Sequence, residues 1–110
     1  PGGEETKHLV NANVLQKLGK NGFLINIARG TVIDQKALIY ALQNNIIRGA
    51  GLDVFENEPN LPDDLINLNN VILTPHIGSA TVETRYDMGK LVYDNIVQML
   101  TTNTTISPVN

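Results

Sequence analysis

Three short apolar runs divide this chain, and their continuity constrains the fold more than any other feature. They are Phe23-Leu24-Ile25-Asn26-Ile27-Ala28, Ala50-Gly51-Leu52-Asp53-Val54-Phe55 and Val71-Ile72-Leu73-Thr74. A strand with one wet face alternates apolar and polar residues, whereas an unbroken run fits a parallel sheet buried on both faces. The intervals read as helices and turns. Asn11 can cap a short helix through Val14, Leu15 and Leu18, with Gly19 at its end and a turn at Lys20-Asn21-Gly22. Asp34 can cap a second, in which Leu38, Ala41 and Leu42 recur at i, i+3 and i+4, and Asn44-Asn45 close it.

The second strand spans Gly49 to Phe55 and leads into a Pro/Asp/Asn-rich stretch, Glu56 to Asn70, where Leu65, Ile66 and Leu68 suit one short helical turn. Pro75 ends the third strand, Val71 to Thr74, because it has no N–H for the ladder. A long helix follows, about Thr81 to Leu100, with Glu83 in the first turn and an apolar stripe of Val82, Tyr86, Gly89, Val92, Tyr93, Ile96 and Leu100. Strand, helix, strand, loop, strand, helix is an α/β arrangement with right-handed crossovers. It amounts to the C-terminal half of a doubly wound parallel sheet with a long C-terminal helix.

Composition narrows the function classes. A net charge of −3 argues against nucleic acid, whose phosphates need a basic surface. Without cysteine there is no disulfide framework and no thiolate nucleophile or metal ligand, which agrees with a reducing cytoplasmic setting. No metal site is expected. No run approaches the ~20 apolar residues of a membrane span. The chain opens at Pro1 in a loop-like Pro-Gly-Gly-Glu-Glu run and closes in a polar Thr/Asn tail, so it reads as the C-terminal portion of a longer protein.

Ligands of open parallel sheets bind beyond the carboxyl ends of the strands. Arg29, Glu58 and His76 each lie just past one of the three runs. A guanidinium, a carboxylate and an imidazole at one edge can hold an anionic carbonyl compound and protonate it, Glu58 tuning the histidine. Gly49-Ala50-Gly51-Leu52-Asp53-Val54 begins like a dinucleotide phosphate loop, but its sixth residue is valine and it precedes a strand instead of joining strand to helix. It is rejected as one. A phosphate loop, if present, lies before Pro1.

The segments Leu24-Ile25-Asn26-Ile27-Ala28-Arg29-Gly30, Gly51-Leu52-Asp53-Val54-Phe55-Glu56-Asn57-Glu58-Pro59 and Leu73-Thr74-Pro75-His76-Ile77-Gly78-Ser79-Ala80-Thr81 resemble, in order and separation, motifs of the D-isomer-specific 2-hydroxyacid dehydrogenase family. The resemblance covers essentially the whole chain, but only the last third or so of a typical member. Glu83-Thr84-Arg85 and Ser107-Pro108-Val109 look most like the glyoxylate/hydroxypyruvate reductase branch. The resemblance implies the second half of a Rossmann-like NAD(P)-binding domain over residues 1–110, with the helix and tail; the first half and the substrate domain are missing. It implies reduction of a 2-oxo acid to a D-2-hydroxy acid with NAD or NADP, in a homodimer.

Under that resemblance Arg29 grips the substrate carboxylate through paired N–H bonds. The bland alternative is a surface ion pair. His76 is the general acid in reduction and the base in oxidation, and Glu58 hydrogen-bonds it. Ile27, Ala28 and Gly78 match cofactor contacts, Gly78 because close backbone approach tolerates no side chain. Ser79 lies beside the substrate. Asp53 matches the residue near the nicotinamide carboxamide, or is instead a buried strand-end carboxylate satisfied by loop amides. His8 reads as a solvated or capping residue, and Glu56 and Asp63-Asp64 as a solvated loop face. Glu58 contrasts with the related formate dehydrogenases, which carry glutamine there. Half the site being absent, the isolated chain is expected to be inactive. Other readings are a phosphoglycerate dehydrogenase, a non-catalytic NADH-sensing corepressor-like protein of the same fold, and an unrelated flavodoxin-like module.

Overall fold

The structure, a computed structural model, describes residues 2–109. Two compact units divide it, one ending at Gly78 and the other beginning at Ser79. The first contains α1 (Ala12–Leu18), β1 (Phe23–Asn26), α2 (Gln35–Gln43), β2 (Gly49–Leu52), α3 (Asp63–Ile66) and β3 (Val71–Leu73). The strands form one parallel sheet in chain order. Leu24, Ala50 and Val71 share one row of the register; Ile25, Gly51 and Ile72 share the next, on the opposite face.

The caps expected from sequence are in place. Asn11 Oδ1 accepts from the N–H groups of Asn13 (3.0 Å) and Val14 (3.3 Å), and Asp34 Oδ1 accepts from that of Ala37 (3.0 Å). Gly19, at φ +75°, ends α1 in a conformation a Cβ would disfavour. Leu15 of α1, Leu38, Ala41 and Leu42 of α2 and Leu65 of α3 meet Ala50 and Leu52 of β2 in one buried cluster.

That cluster corrects one expectation. All three helices send their buried residues to the same face of the sheet, so burial on both faces does not hold in this chain. On the other face Phe23, Ile25 and Ile72 are 60%, 67% and 72% exposed. All three strands also end early, at Asn26, Leu52 and Leu73 instead of Ala28, Phe55 and Thr74; beyond the first two, the amides of Ala28 and Phe55 turn to the side chains of Asn26 and Glu58.

In the second unit α4 spans Val82–Thr102. Thr81 Oγ1 caps it by accepting from the N–H of Thr84 (3.1 Å), and Asn103 ends it at φ +57°. None of its residues is buried, so the apolar stripe is exposed. The tail is tied to the helix by Asn95, whose Oδ1 accepts from the N–H groups of Ile106 (3.0 Å) and Ser107 (3.1 Å). Among the described residues no helix is long and apolar enough to cross a membrane.

Leu38 is 1% exposed at the centre of the cluster. Leu38→Ala is expected to lower unfolding free energy by about 2–5 kcal/mol, and Asp34→Ala by about 1 kcal/mol, in urea titrations followed by circular dichroism. Equal losses for the two would remove Leu38 from the core.

Candidate active site

At the end of β1 the chain must leave the sheet and present Arg29. Asn26, 6% exposed, shapes that bend: its Oδ1 accepts from the N–H of Ala28 (3.1 Å) and its Nδ2 donates to the carbonyl of Arg29 (2.9 Å). Its side chain thus replaces the lost ladder partners. Ile27, Ala28 and Arg29 are exposed beyond it. Arg29 Nη1 donates to the carbonyl of Ala28 (2.6 Å), and no acidic side chain among the described residues pairs with it. The surface ion pair weighed for Arg29 is not found.

Gly30 brings this bend against the loop after β2. A Cβ there would lie 1.9 Å from the carbonyl carbon of Phe55 and 2.0 Å from its oxygen. Only a residue without a side chain permits that approach. One step along, the N–H of Phe55 donates to Glu58 Oε1 (2.9 Å). Glu58 Oε2 in turn lies 2.7 Å from His76 Nδ1. The edge is therefore linked from Arg29 through Gly30, Phe55 and Glu58 to His76.

An ionised carboxylate only accepts, so Nδ1 carries the hydrogen and Nε2 is left for another partner. The bond to His76, with that from Phe55, holds the Glu58 carboxyl below its ordinary value of 4.5. His76 is held at φ +54°, a left-handed conformation costly for a residue with a Cβ. Its ring and Glu58 border a cleft of about 150 Å³ whose other walls are Phe55, Pro59, Leu61 and Pro75.

Asp53 fixes that loop from below. The residue, just past the end of β2, is 7% exposed. Its Oδ1 accepts from Thr74 Oγ1 (2.6 Å) and the N–H of Ile77 (2.9 Å), and its Oδ2 from the N–H of Gly78 (2.8 Å). The Thr74 hydroxyl, then the Ile77 amide, hold its carboxyl below the ordinary 3.8. This is the strand-end arrangement satisfied by loop amides; Oδ2, with a single donor, retains acceptor capacity. A Cβ on Gly78 would meet that oxygen at 3.1 Å, so the residue crowding Gly78 is Asp53 itself. Ser79 opens the second unit.

Several residues of this architecture escaped the sequence reading. Asn26 carried a usable sign, an Asn late in an apolar run and three residues before Arg29-Gly30, which suits an Asx turn. His8 and Glu56, read as solvated, are instead half-covered and paired: His8 Nε2 lies 2.9 Å from Glu56 Oε1. Pairs so far apart in sequence leave no local trace.

Comparison with known proteins gives the family and agrees with the fold. Residues 1–78 match the family described as D-isomer specific 2-hydroxyacid dehydrogenase, NAD binding domain. The chain is 50% identical over 108 residues to the 2-ketogluconate reductase of Gluconobacter oxydans (strain 621H), covering 98% of this chain and 35% of that protein. It is 53% identical over 100 residues to glyoxylate/hydroxypyruvate reductase B of Serratia proteamaculans (strain 568), covering 89% and 30%. Among solved structures it superposes with a TM-score of 0.93 and 51% identity on the NADPH-dependent glyoxylate/hydroxypyruvate reductase of Sinorhizobium meliloti in complex with NADP and malonate, covering 99% and 34%. The chain thus spans about a third of the length of these relatives.

Gly30→Ala is expected to lower unfolding free energy by about 1–3 kcal/mol, since Phe55 backbone must move to admit the methyl group. Denaturant titration measures this, and an unchanged midpoint would refute the close approach. Asp53 and Glu58 both have lowered folded values, so their contributions are complete above 3.8 and 4.5 and are lost as the pH falls through the folded values. Urea midpoints taken stepwise downward from pH 6 should therefore fall on acidification, and fall less steeply for Asp53→Asn. Parallel curves would show that Asp53 is not held in its ionised form.

Proposed function

Since the chain belongs to the D-isomer-specific 2-hydroxyacid dehydrogenase family, we propose that in its full-length protein it supplies one side of a site interconverting a 2-oxo acid and its D-2-hydroxy acid. The observation that carries the reading is the 2.7 Å contact between His76 Nδ1 and Glu58 Oε2, which leaves Nε2 for another partner at the edge that also presents Arg29, with no acidic partner among the described residues. The nature of the relatives points to glyoxylate or hydroxypyruvate as the substrate class. The described units then form the second half of an NAD(P)-binding domain with a C-terminal helix and tail, and the remainder of a homodimeric protein completes the site.

The edge suits a nicotinamide dinucleotide. Ile27 offers an exposed apolar side chain beyond β1, Gly78 leaves the backbone unshielded by a side chain, and Asp53 Oδ2 can accept one further amide hydrogen. Ile27, Ala28, Asp53 and Gly78 would hold the nicotinamide end, which when bound supplies or receives the hydride. Arg29 orients the substrate: two N–H groups of a planar guanidinium match two carboxylate oxygens, fixing the adjacent carbonyl.

His76 handles the proton. Addition to the carbonyl carbon leaves negative charge on its oxygen, and the proton on Nε2 passes to that oxygen as the charge develops. In the oxidative direction neutral Nε2 takes the proton from the hydroxyl. Glu58 fixes the ring and balances the imidazolium between these states.

In the full-length enzyme, His76→Ala is expected to lower kcat for NAD(P)H-dependent reduction of hydroxypyruvate or glyoxylate by about 10²–10⁴-fold. Arg29→Lys should chiefly raise KM for the oxo acid, because an ammonium cannot grip both oxygens. The 110-residue chain alone should show no turnover. An unchanged rate in His76→Ala would reject the assignment of the acid.

A further inference from the structure

We propose that His8 is a positioning residue that ties the Arg29 segment to the loop bearing Glu58, and through that loop sets the geometry of the Glu58–His76 pair. The proposal rests on the catalytic reading of Glu58 and His76 above. His8 touches both segments, with different parts. Its backbone N–H donates to the carbonyl of Thr31 (2.9 Å), in the 3-10 turn that follows Arg29. Its Nε2 lies 2.9 Å from Glu56 Oε1, and since the carboxylate can only accept, Nε2 carries the hydrogen.

Glu56 is well placed to transmit position. Its N–H donates to Gln35 Oε1 at the start of α2 (3.2 Å). The peptide joining it to Phe55 is the one pressed on Gly30, and the N–H of Phe55 binds Glu58. Fixing the Glu56 side chain therefore fixes a two-residue span whose other end orients the Glu58 carboxylate. Both side chains of the pair are partly covered, at 38% and 27% exposure, unlike freely solvated partners whose pairing defines little. His8 is also held at φ +52°. Such a conformation persists in a residue with a Cβ only where surrounding contacts over-determine it.

The test uses the full-length enzyme with His8→Ala, His8→Gln, Glu56→Ala, the double alanine variant and His76→Ala. Each replacement at position 8 retains a Cβ, so the left-handed backbone penalises all alike and the comparison isolates the side-chain bond. The expected result is a kcat about tenfold lower in His8→Ala with the oxo-acid KM nearly unchanged, as misplacement of a catalytic group by a fraction of an ångström predicts. His8→Gln, which can still donate to the carboxylate, should recover most of that loss, and the double variant should be no worse than either single one. Wild-type kcat in His8→Ala, a lowered thermal midpoint with kcat intact, or additive losses in the double variant would overturn the proposal. If His8→Ala does not fold, Glu56→Gln is judged by the same criteria. Loss of activity in His76→Ala with normal kcat in His8→Ala sinks the positioning role alone; activity retained in His76→Ala sinks the catalytic reading and this proposal with it.

Discussion

The carboxylate of Asp53 holds the end of β2 to the loop that follows β3, and the placement of His76 depends on it. Three donors converge on it from Thr74, Ile77 and Gly78, on both sides of the histidine in sequence. A short strand followed by proline has little backbone means of fixing the next residues, because its ladder has ended; His76 N–H donates to the carbonyl of Thr74 (3.0 Å), one bond across a single turn. A buried, ionised side chain from the neighbouring strand takes that part. Hydrogen bonds to a charged acceptor are stronger than neutral ones, which is what a loop with a left-handed histidine requires.

A second constraint is steric. The bend after β1 and the loop after β2 approach so closely at Gly30 and Phe55 that a methyl group could not lie between them. Asn26 on one side and Glu58 on the other then need only short reaches to hold their segments. The parts of the edge that carry Arg29 and His76 are consequently one connected object. Its coupling runs through packed backbone and hydrogen bonds instead of a shared charge.

Much of this was legible in the residues. The caps at Asn11 and Asp34 act through neighbours two or three positions away, so local patterns reveal them. The strands and their parallel order followed from continuous apolar runs, and the three polar residues beyond them marked the edge. What failed was non-local. An apolar run states that a strand is to be covered on both faces, not whether this stretch of chain supplies both covers; here the helices all serve Ala50 and Leu52, and Ile25 and Ile72 are left open. Likewise Glu56 and Glu58 are alike in sequence, two acids in one loop, and only tertiary contact assigns the first to His8 and the second to His76.

The left-handed backbone of His76 has a consequence for how this loop can evolve. Judged by conformation alone, glycine is the residue that suits this position, and asparagine the next best. Either would relax the loop and discard the imidazole. Conformational ease and retention of an imidazole therefore pull this one codon in opposite directions, and the chain carries the residue that its backbone favours less.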